Sequence, residues 1–199
     1  MNIKNPDLVL VQSIEDRCGF NQYQKTLSLR KVNVATDKDY QKNFTGYYRV
    51  RRDKKWLQSY YEFMEQHKND DPLTFEEVLR YLSSVPHRVT KTIKNKSGMA
   101  ATLEVSFSSK MLATINPNYP IWDSQVVKAL GIEVDDEVLT ETRLVNYVKA
   151  YAKLKKEVDD FIPTAEGQEC IRLHDELFPD FKDINPVKKI DFYLWSLGK

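Results

Sequence analysis

The sequence predicts an all-α fold, a multi-helix bundle of about eight to ten helices. Three observations carry this. Apolar residues recur at three- and four-residue steps through most of the chain after Asp37. Helix-start signals stand in front of those stripes: Asp53, Thr74 with Glu77 three residues on, Asp123, and Asn185 followed by Pro186. Proline or glycine stands where the stripes stop, at Pro86, Gly131, Pro163 and Gly198.

Residues 1–36 are mixed. Leu8 to Ile14 is apolar with few breaks, and Thr26 to Val34 alternates, which reads as a short strand or an extended N-terminal arm. Asp53 to His67 carries Trp56, Tyr60, Phe63, Met64 and His67 at helical steps, with Asp53 as N-cap. Asn69-Asp70-Asp71-Pro72 is a loop, and Thr74 and Glu77 form a capping box for a helix to about Leu82. Asn95 to Gly98 is a turn. A helix from about Ala100 is expected to break near Phe107-Ser108-Ser109, where a second begins. Asn116 to Pro120 holds two prolines and is not helical. Asp123 caps the next helix, which closes at Gly131. Thr140 to Ile162 is the longest helix, with Leu144, Val148, Tyr151, Ala152, Val158, Phe161 and Ile162 as its stripe. Another starts at Thr164 or Ala165 and runs to about Leu177. The last, Val187 to Leu197, is amphipathic, with Ile190, Tyr193, Leu194 and Leu197 on one face.

Composition narrows the function classes. The chain has 199 residues, 41% hydrophobic and 30% charged, which suits a compact globular protein able to bury a core. With only 6 glycines, a glycine-rich phosphate loop is not expected, and no P-loop or dinucleotide fingerprint is present. The formal net charge is +1, so any nucleic-acid contact must come from a local patch. Cys18 and Cys170 have no metal spacing and read as free thiols. His67, His87 and His174 are scattered. No metal and no cofactor are expected. The N-terminal region has no long apolar run, so neither a signal peptide nor a membrane anchor is expected, and the expectation is a cytoplasmic protein.

Two segments carry the functional expectation. In the first, Lys110 stands at the head of an apolar helix, a Pro/Asn loop follows, and Asp123 opens the next helix. That order can place an amine and a carboxylate at the mouth of one cleft. On their residue types alone, Asp123 is an N-cap contributing about 1 kcal/mol and Lys110 a solvated lysine near a helix start. In the second, Tyr47 to Trp56 interleaves aromatic residues with Arg49, Arg51, Arg52, Lys54 and Lys55, the densest basic run in the chain. Its simpler reading is a solvated helix start with snorkelling arginines. Cations at a helix N-terminus oppose the helix dipole, however, so local stability does not account for them. Three lesser candidates carry nothing. The acidic run Glu133 to Glu137 reads as a solvated connector, His87 has no partner that the sequence identifies, and Cys170 reads as core.

Ser108 to Asn116 followed by Pro120 to Gly131 resembles the central part of the helix–hairpin–helix DNA glycosylase superfamily. Lys110 matches the lysine of its bifunctional members, and Asp123 the essential aspartate. Ser124, Val126 and Lys128 match the hydroxyl, aliphatic and basic positions that follow. A weaker likeness, over Phe44 to Tyr61 and the last helix, is to small bacterial proteins of 8-oxoguanine-glycosylase fold. The chain departs from the family in three ways. Glu104 to Ser109 replaces the hairpin glycines, the lysine-to-aspartate loop is shorter, and there is no C-terminal iron–sulfur cysteine cluster.

The resemblance implies an orthogonal bundle of two helical lobes with a cleft between them. One lobe would hold residues 1–95 and 185–199, the other 96–184. It implies a DNA base-excision N-glycosylase, with or without lyase activity, acting on a flipped-out base. Asp123 would stabilise the positive charge on the sugar, and Lys110 would attack C1′ to give a Schiff base. Trp122, Tyr119 and Phe107 would wall the base pocket. Arg49, Arg51, Arg52, Ser108, Ser109 and Lys128 would hold DNA. The alternative is a non-catalytic nucleic-acid- or partner-binding protein of the same fold. A further possibility is a helical interaction domain in which the match is accidental.

Overall fold

The computed structural model describes residues 1, 3–7, 9, 19–69, 72–89, 98–100, 102–134 and 140–198. The apolar run at 8 and 10–14, Cys18, and positions 70–71, 95–97 and 135–137 of the expected loops and acidic run lie outside them. Among the described residues, the regular elements are helices apart from one ribbon of two short strands. They form two compact units, Asn21–Ile115 and Met1–Phe20 with Asn116–Lys199. This differs from the expected lobe boundaries, near residues 95 and 185. The helix ending at Ile115 packs within the first unit, and the last helix packs on its neighbours after Asn116.

Helix α1 (Phe20–Thr26), which lies in the first unit from Asn21 on, runs into a 3-10 helix at Leu27–Lys31. This corrects the expected strand or arm at Thr26 to Val34. Phe20, Tyr23, Thr26 and Leu29 are the buried residues, a spacing of three that continues from the helix into the 3-10 turn. Thr26 Oγ1 donates to Tyr23 O at 2.7 Å, and the Arg30 guanidinium reaches Ile115 O at 3.2 Å.

Helices α2 (Lys38–Tyr48), α3 (Lys54–His67) and α4 (Phe75–Ser84) each begin at a side-chain cap. Asp37 accepts from Tyr40 N, Asp53 from Trp56 N, and Thr74 with Glu77 forms the capping box. Their buried faces hold Phe44, Tyr48, Trp56, Tyr60, Tyr61, Met64, Val78, Leu79 and Leu82. Three tyrosine hydroxyls in this core are satisfied by backbone, Tyr40 on Thr26 O at 2.9 Å, Tyr60 on Phe107 O and Tyr61 on Gln41 O, both at 3.1 Å, and that of Tyr48 accepts from Thr114 Oγ1 at 3.3 Å. Such pairing removes the cost of burying a polar group.

Strands β1 (His87–Val89) and β2 (Gly98–Ala100) pair antiparallel, His87 opposite Ala100. Ala100 is therefore not helical. Helix α5 (Val105–Ile115) starts after Glu104, whose carbonyl takes Ser108 N at 2.8 Å. The expected break at Phe107 to Ser109 is absent. Ser109 Oγ returns to Ser106 O at 2.9 Å, so its hydroxyl is satisfied without opening the helix. Lys110 thus sits in mid-helix rather than at a helix start. Helix α5 packs on α3 and α4.

In the second unit, α6 (Ser124–Ala129) begins at Asp123, whose Oδ1 takes Gln125 N at 3.0 Å. It ends in a Schellman turn. Gly131 has φ 59°, Gly131 N bonds Lys128 O at 3.1 Å, and Ile132 N bonds Val127 O at 2.9 Å. Helix α7 (Thr140–Phe161) buries Leu144, Tyr151, Leu154, Val158 and Phe161, while Ala152 of the expected stripe is exposed. Helix α8 (Ala165–Leu177) is capped by Thr164, and a 3-10 turn follows at Pro179–Phe181.

A Cβ on Gly167 would lie 2.2 Å from Phe161 O and 2.9 Å from Ile162 O, so only glycine lets α8 start this close to the end of α7. Gly167→Ala should cost about 1–3 kcal/mol by overpacking. Thermal melting checks it, and an unchanged midpoint would show that the turn opens freely.

Helix α9 (Pro186–Leu197) is capped by Asn185. It was expected to be amphipathic, and it is instead buried almost all round, Lys188, Lys189 and Asp191 included, with Leu197 exposed at 39%. It packs on α6, α7 and α8, and Gly198 meets Gln125 O so closely that a Cβ would fall 1.9 Å from it.

Candidate functional site

The expected site residues divide between the units. Arg49, Arg51, Arg52, Phe107, Ser108, Ser109 and Lys110 lie in Asn21–Ile115, and Tyr119, Trp122, Asp123 and Lys128 after Asn116.

The basic segment links α2 to α3, and its backbone is pinned. Tyr48 is buried. Arg49 takes a left-handed conformation (φ 52°, ψ 41°), and Val50 N bonds Thr45 O at 3.1 Å. Val50 is buried, and Asp53 is committed to capping α3. Arg49, Arg51, Lys54 and Lys55 are exposed.

Arg52 has a different role. Its Nε and Nη2 fork onto Glu104 at 2.9–3.1 Å, and Nη1 bonds Arg51 O at 2.8 Å. Its guanidinium carbon sits 4.7 Å from the Phe107 ring centroid and 5.8 Å from that of Trp56. Glu104 is 3% exposed and also accepts from Thr102 Oγ1 at 2.8 Å. Arg52 is therefore turned inward by a carboxylate. His87 is buried near the same carboxylate, with Nδ1 3.7 Å from Glu104 Oε1, too far for a hydrogen bond.

Phe107 brings two expected residues together. Its ring packs on Trp56 at 5.7 Å, with Arg52 over it and the Lys110 ammonium 5.4 Å from its centroid. Ser108 and Ser109 are fully buried. Ser108 Oγ has no hydrogen-bond partner, and Ser109 bonds within its own helix. Neither hydroxyl is offered to a phosphate, because both lie on the face of α5 that packs inward.

After Asn116, Asp123 is half-buried and Trp122 is 8% exposed. The indole meets the Tyr147 ring edge-on at 5.8 Å, so it packs in the core instead of presenting an open stacking face. Tyr119 is half-exposed, with the Lys155 ammonium 5.5 Å from its ring, and Lys128 is exposed in the last turn of α6.

This unit also holds groups that the sequence reading missed. Asp191, on α9, is 6% exposed. Its Oδ2 takes the Lys188 ammonium at 2.5 Å, while Oδ1 is buried and makes no hydrogen bond. Burial pushes the Asp191 carboxyl up. Lys188 opposes this, the Asp123 charge adds to it, and the Ile121 N–H favours the ionised form. Tyr151 OH donates to Pro120 O at 2.7 Å, and burial raises that phenol well above its usual range. One signal was legible. Asp191 stands four residues after Val187 and three before Leu194, so a carboxylate interrupts an apolar helical face.

A second cluster joins the buried His174 and Lys189 to the half-exposed Asp175. His174 Nδ1 lies 3.1 Å from Asp175 Oδ1, and Lys189 Nζ reaches the same oxygen at 2.5 Å. The imidazole packs against Phe20, Phe178 and Phe192, and burial pushes it toward the neutral form. Cys170, one turn earlier, is pushed up to about 11 by burial, which makes it a packed thiol and not a nucleophile.

Among the described residues, no group of three or more His, Cys, Asp or Glu could hold a metal ion, and no helix is long and apolar enough to cross a membrane. Comparison with protein-family models, curated proteins and solved structures finds no match.

Proposed function

We propose that this chain binds nucleic acid through the segment Arg49 to Lys55. One observation carries the reading: four cations, Arg49, Arg51, Lys54 and Lys55, are exposed on a backbone pinned by Val50, Asp53 and the Arg52–Glu104 fork. Such a segment offers phosphates a positive stripe at little ordering cost, and a net charge of +1 leaves local charge as the source of attraction.

The test is fluorescence anisotropy with labelled duplex and single-stranded oligonucleotides over a salt series. Binding should weaken steeply with salt. Arg49→Gln/Arg51→Gln should flatten the slope by about 1.4–1.8, the loss of two phosphate contacts. A wild-type protein that binds neither oligonucleotide at low salt, or a variant with an unaltered slope, would defeat the reading.

The second reading is base excision. Its support is the order of elements: helix α5, a non-helical Asn116 to Pro120, and α6 opened by Asp123 and closed at Gly131. Asp123 would stabilise the sugar cation as the base leaves, and Lys110 would be the amine that attacks C1′. Borohydride trapping on duplexes carrying abasic or oxidised sites reads this directly. Loss of trapping in Lys110→Ala, and loss of excision in Asp123→Asn, are the expected results.

A further inference from the structure

We propose that His87 is a proton switch on the nucleic-acid-binding segment. On taking up a proton it competes with Arg52 for Glu104, and so loosens the brace behind Arg49, Arg51, Lys54 and Lys55. The functional half of this inference rests on the binding reading, and the behaviour of the cluster is measured apart from it.

Separate segments of the first unit meet at Glu104. Arg52 comes from the link before α3, His87 from the start of β1, and Ser83 Oγ, from α4, takes the Glu104 N–H at 3.2 Å. The two carboxylate oxygens are used unequally. Oε1 accepts from Arg52 Nε at 3.1 Å, Arg52 Nη2 at 3.0 Å and Thr102 Oγ1 at 2.8 Å, whereas Oε2 accepts from Arg52 Nη2 at 2.9 Å. His87 faces the crowded oxygen. Its Nδ1 is 3.7 Å from Oε1 and buried without a hydrogen bond. Among the described residues, the charged groups around the imidazole are Glu104 and, through it, Arg52, while the Lys110 ammonium stands at the Phe107 ring, 5.4 Å from its centroid. Tyr60, from α3, is the other titratable group acting on Glu104. Burial holds its phenol well above the usual range, so it keeps its proton.

Core packing alone does not account for an imidazole here, because an apolar side chain would fill the place with no unbonded nitrogen. Protonation makes both ring nitrogens donors, and Nδ1 then needs only a small movement to reach Oε1. That oxygen already has three donors, so one must leave. Two cations would also share one buried carboxylate. Arg52 is the one that yields, because its side chain is 26% exposed and can pass into water, whereas that of His87 is 8% exposed. The Nη1 bond to Arg51 O goes with it. The basic segment then keeps its four exposed cations and loses its brace, and each binding event must order more chain.

The experiment compares the wild-type protein with His87→Phe, which keeps a ring and cannot be protonated. The range is about pH 8 to about pH 5, the interval in which imidazoles gain a proton. The first readout is the Arg52 Nε–H resonance in nitrogen-correlated NMR spectra, identified by its absence from Arg52→Lys. In wild type it should move toward the resonances of the exposed Arg49 and Arg51 as pH falls, and in His87→Phe it should stay. A resonance that stays in both proteins, or moves equally in both, would overturn the proposal. His87→Asn gives the same readout should the phenylalanine variant not fold.

The second readout is anisotropy with the labelled oligonucleotides. Wild-type affinity should fall about three- to tenfold on acidification, with the salt slope unchanged, and that of His87→Phe should hold. Affinity indifferent to pH while the Arg52 resonance moves overturns the functional half. So does affinity that rises with a steeper salt slope, since the freed Arg52 would then be meeting phosphate. A wild-type protein that binds neither oligonucleotide removes the binding reading, and the resonance still decides on the switch.

Discussion

Lys188→Met alone should destabilise the protein by about 3–5 kcal/mol at neutral pH, the usual effect of removing one partner of a buried pair. Methionine keeps the aliphatic stem, so the loss is electrical. Asp191 is 6% exposed, and its Oδ1 already lacks a hydrogen bond. Without the ammonium, the carboxylate has no strong compensation. The deficit should also depend on pH. Burial raises the Asp191 carboxyl above its unfolded value even with Lys188 present, and loss of Lys188 raises it further. A carboxyl whose folded pKa exceeds its unfolded one binds its proton more tightly in the folded state. It therefore gains stability as pH falls through the folded value. The gap between wild type and variant should narrow on acidification, because a protonated Asp191 needs no counter-charge. Taking the difference cancels the groups common to both proteins, among them Asp175, which its neighbours hold low, and the buried His174. Urea unfolding across a pH series is the measurement. A variant as stable as wild type at neutral pH would mean that Asp191 is already neutral there.

Local chemistry made some features readable from sequence, and tertiary burial hid the others. The helices of Asp53, Thr74, Asp123, Thr164 and Asn185 start where expected because a cap is a contact within three residues. Gly131 ends α6 for the same kind of reason. Thr26 to Val34 misled because alternation over nine residues does not distinguish an extended chain from a tight turn with a period of three. The start of α5 misled because Ser108 and Ser109 look like loop formers, whereas both are buried in an intact helix.

The candidate site was only partly legible for a related reason. Sequence placed Asp123 at a helix start and Arg49 and Arg51 on a basic run, and both placements depend on near neighbours. It could not pair Arg52 with Glu104, 52 residues away, and it could not see that three charged residues of α9 are buried. Such pairings depend on what lies across the fold, and periodicity carries no record of it.

Glu104→Ala tests both the fold and the binding reading, and it should lower stability by about 2–3 kcal/mol. The figure is below that for Lys188→Met because the partner left behind, Arg52, is 26% exposed and can turn part of its guanidinium to water, whereas Asp191 is 6% exposed. Alanine removes the fork to Arg52 and the acceptor of Thr102. The effect on nucleic-acid binding discriminates between two roles for Arg52. If Arg52 were a phosphate contact restrained by Glu104, freeing it would tighten binding and steepen the salt dependence by about 0.7–0.9, one contact. If Arg52 instead braces the segment that presents Arg49, Arg51, Lys54 and Lys55, freeing it loosens that segment. Binding then costs extra ordering and weakens, with the salt slope unchanged because the same four cations meet the phosphates. The geometry favours bracing. Nε and Nη2 bind Glu104, Nη1 binds the Arg51 carbonyl, and the guanidinium carbon lies 4.7 Å from the Phe107 ring centroid, which leaves it ill placed to reach outward. Glu104→Gln, which keeps one carbonyl acceptor for the fork, should fall between wild type and alanine in both stability and affinity. An alanine variant that binds more tightly and more salt-dependently than wild type would return Arg52 to the binding surface and remove the bracing role.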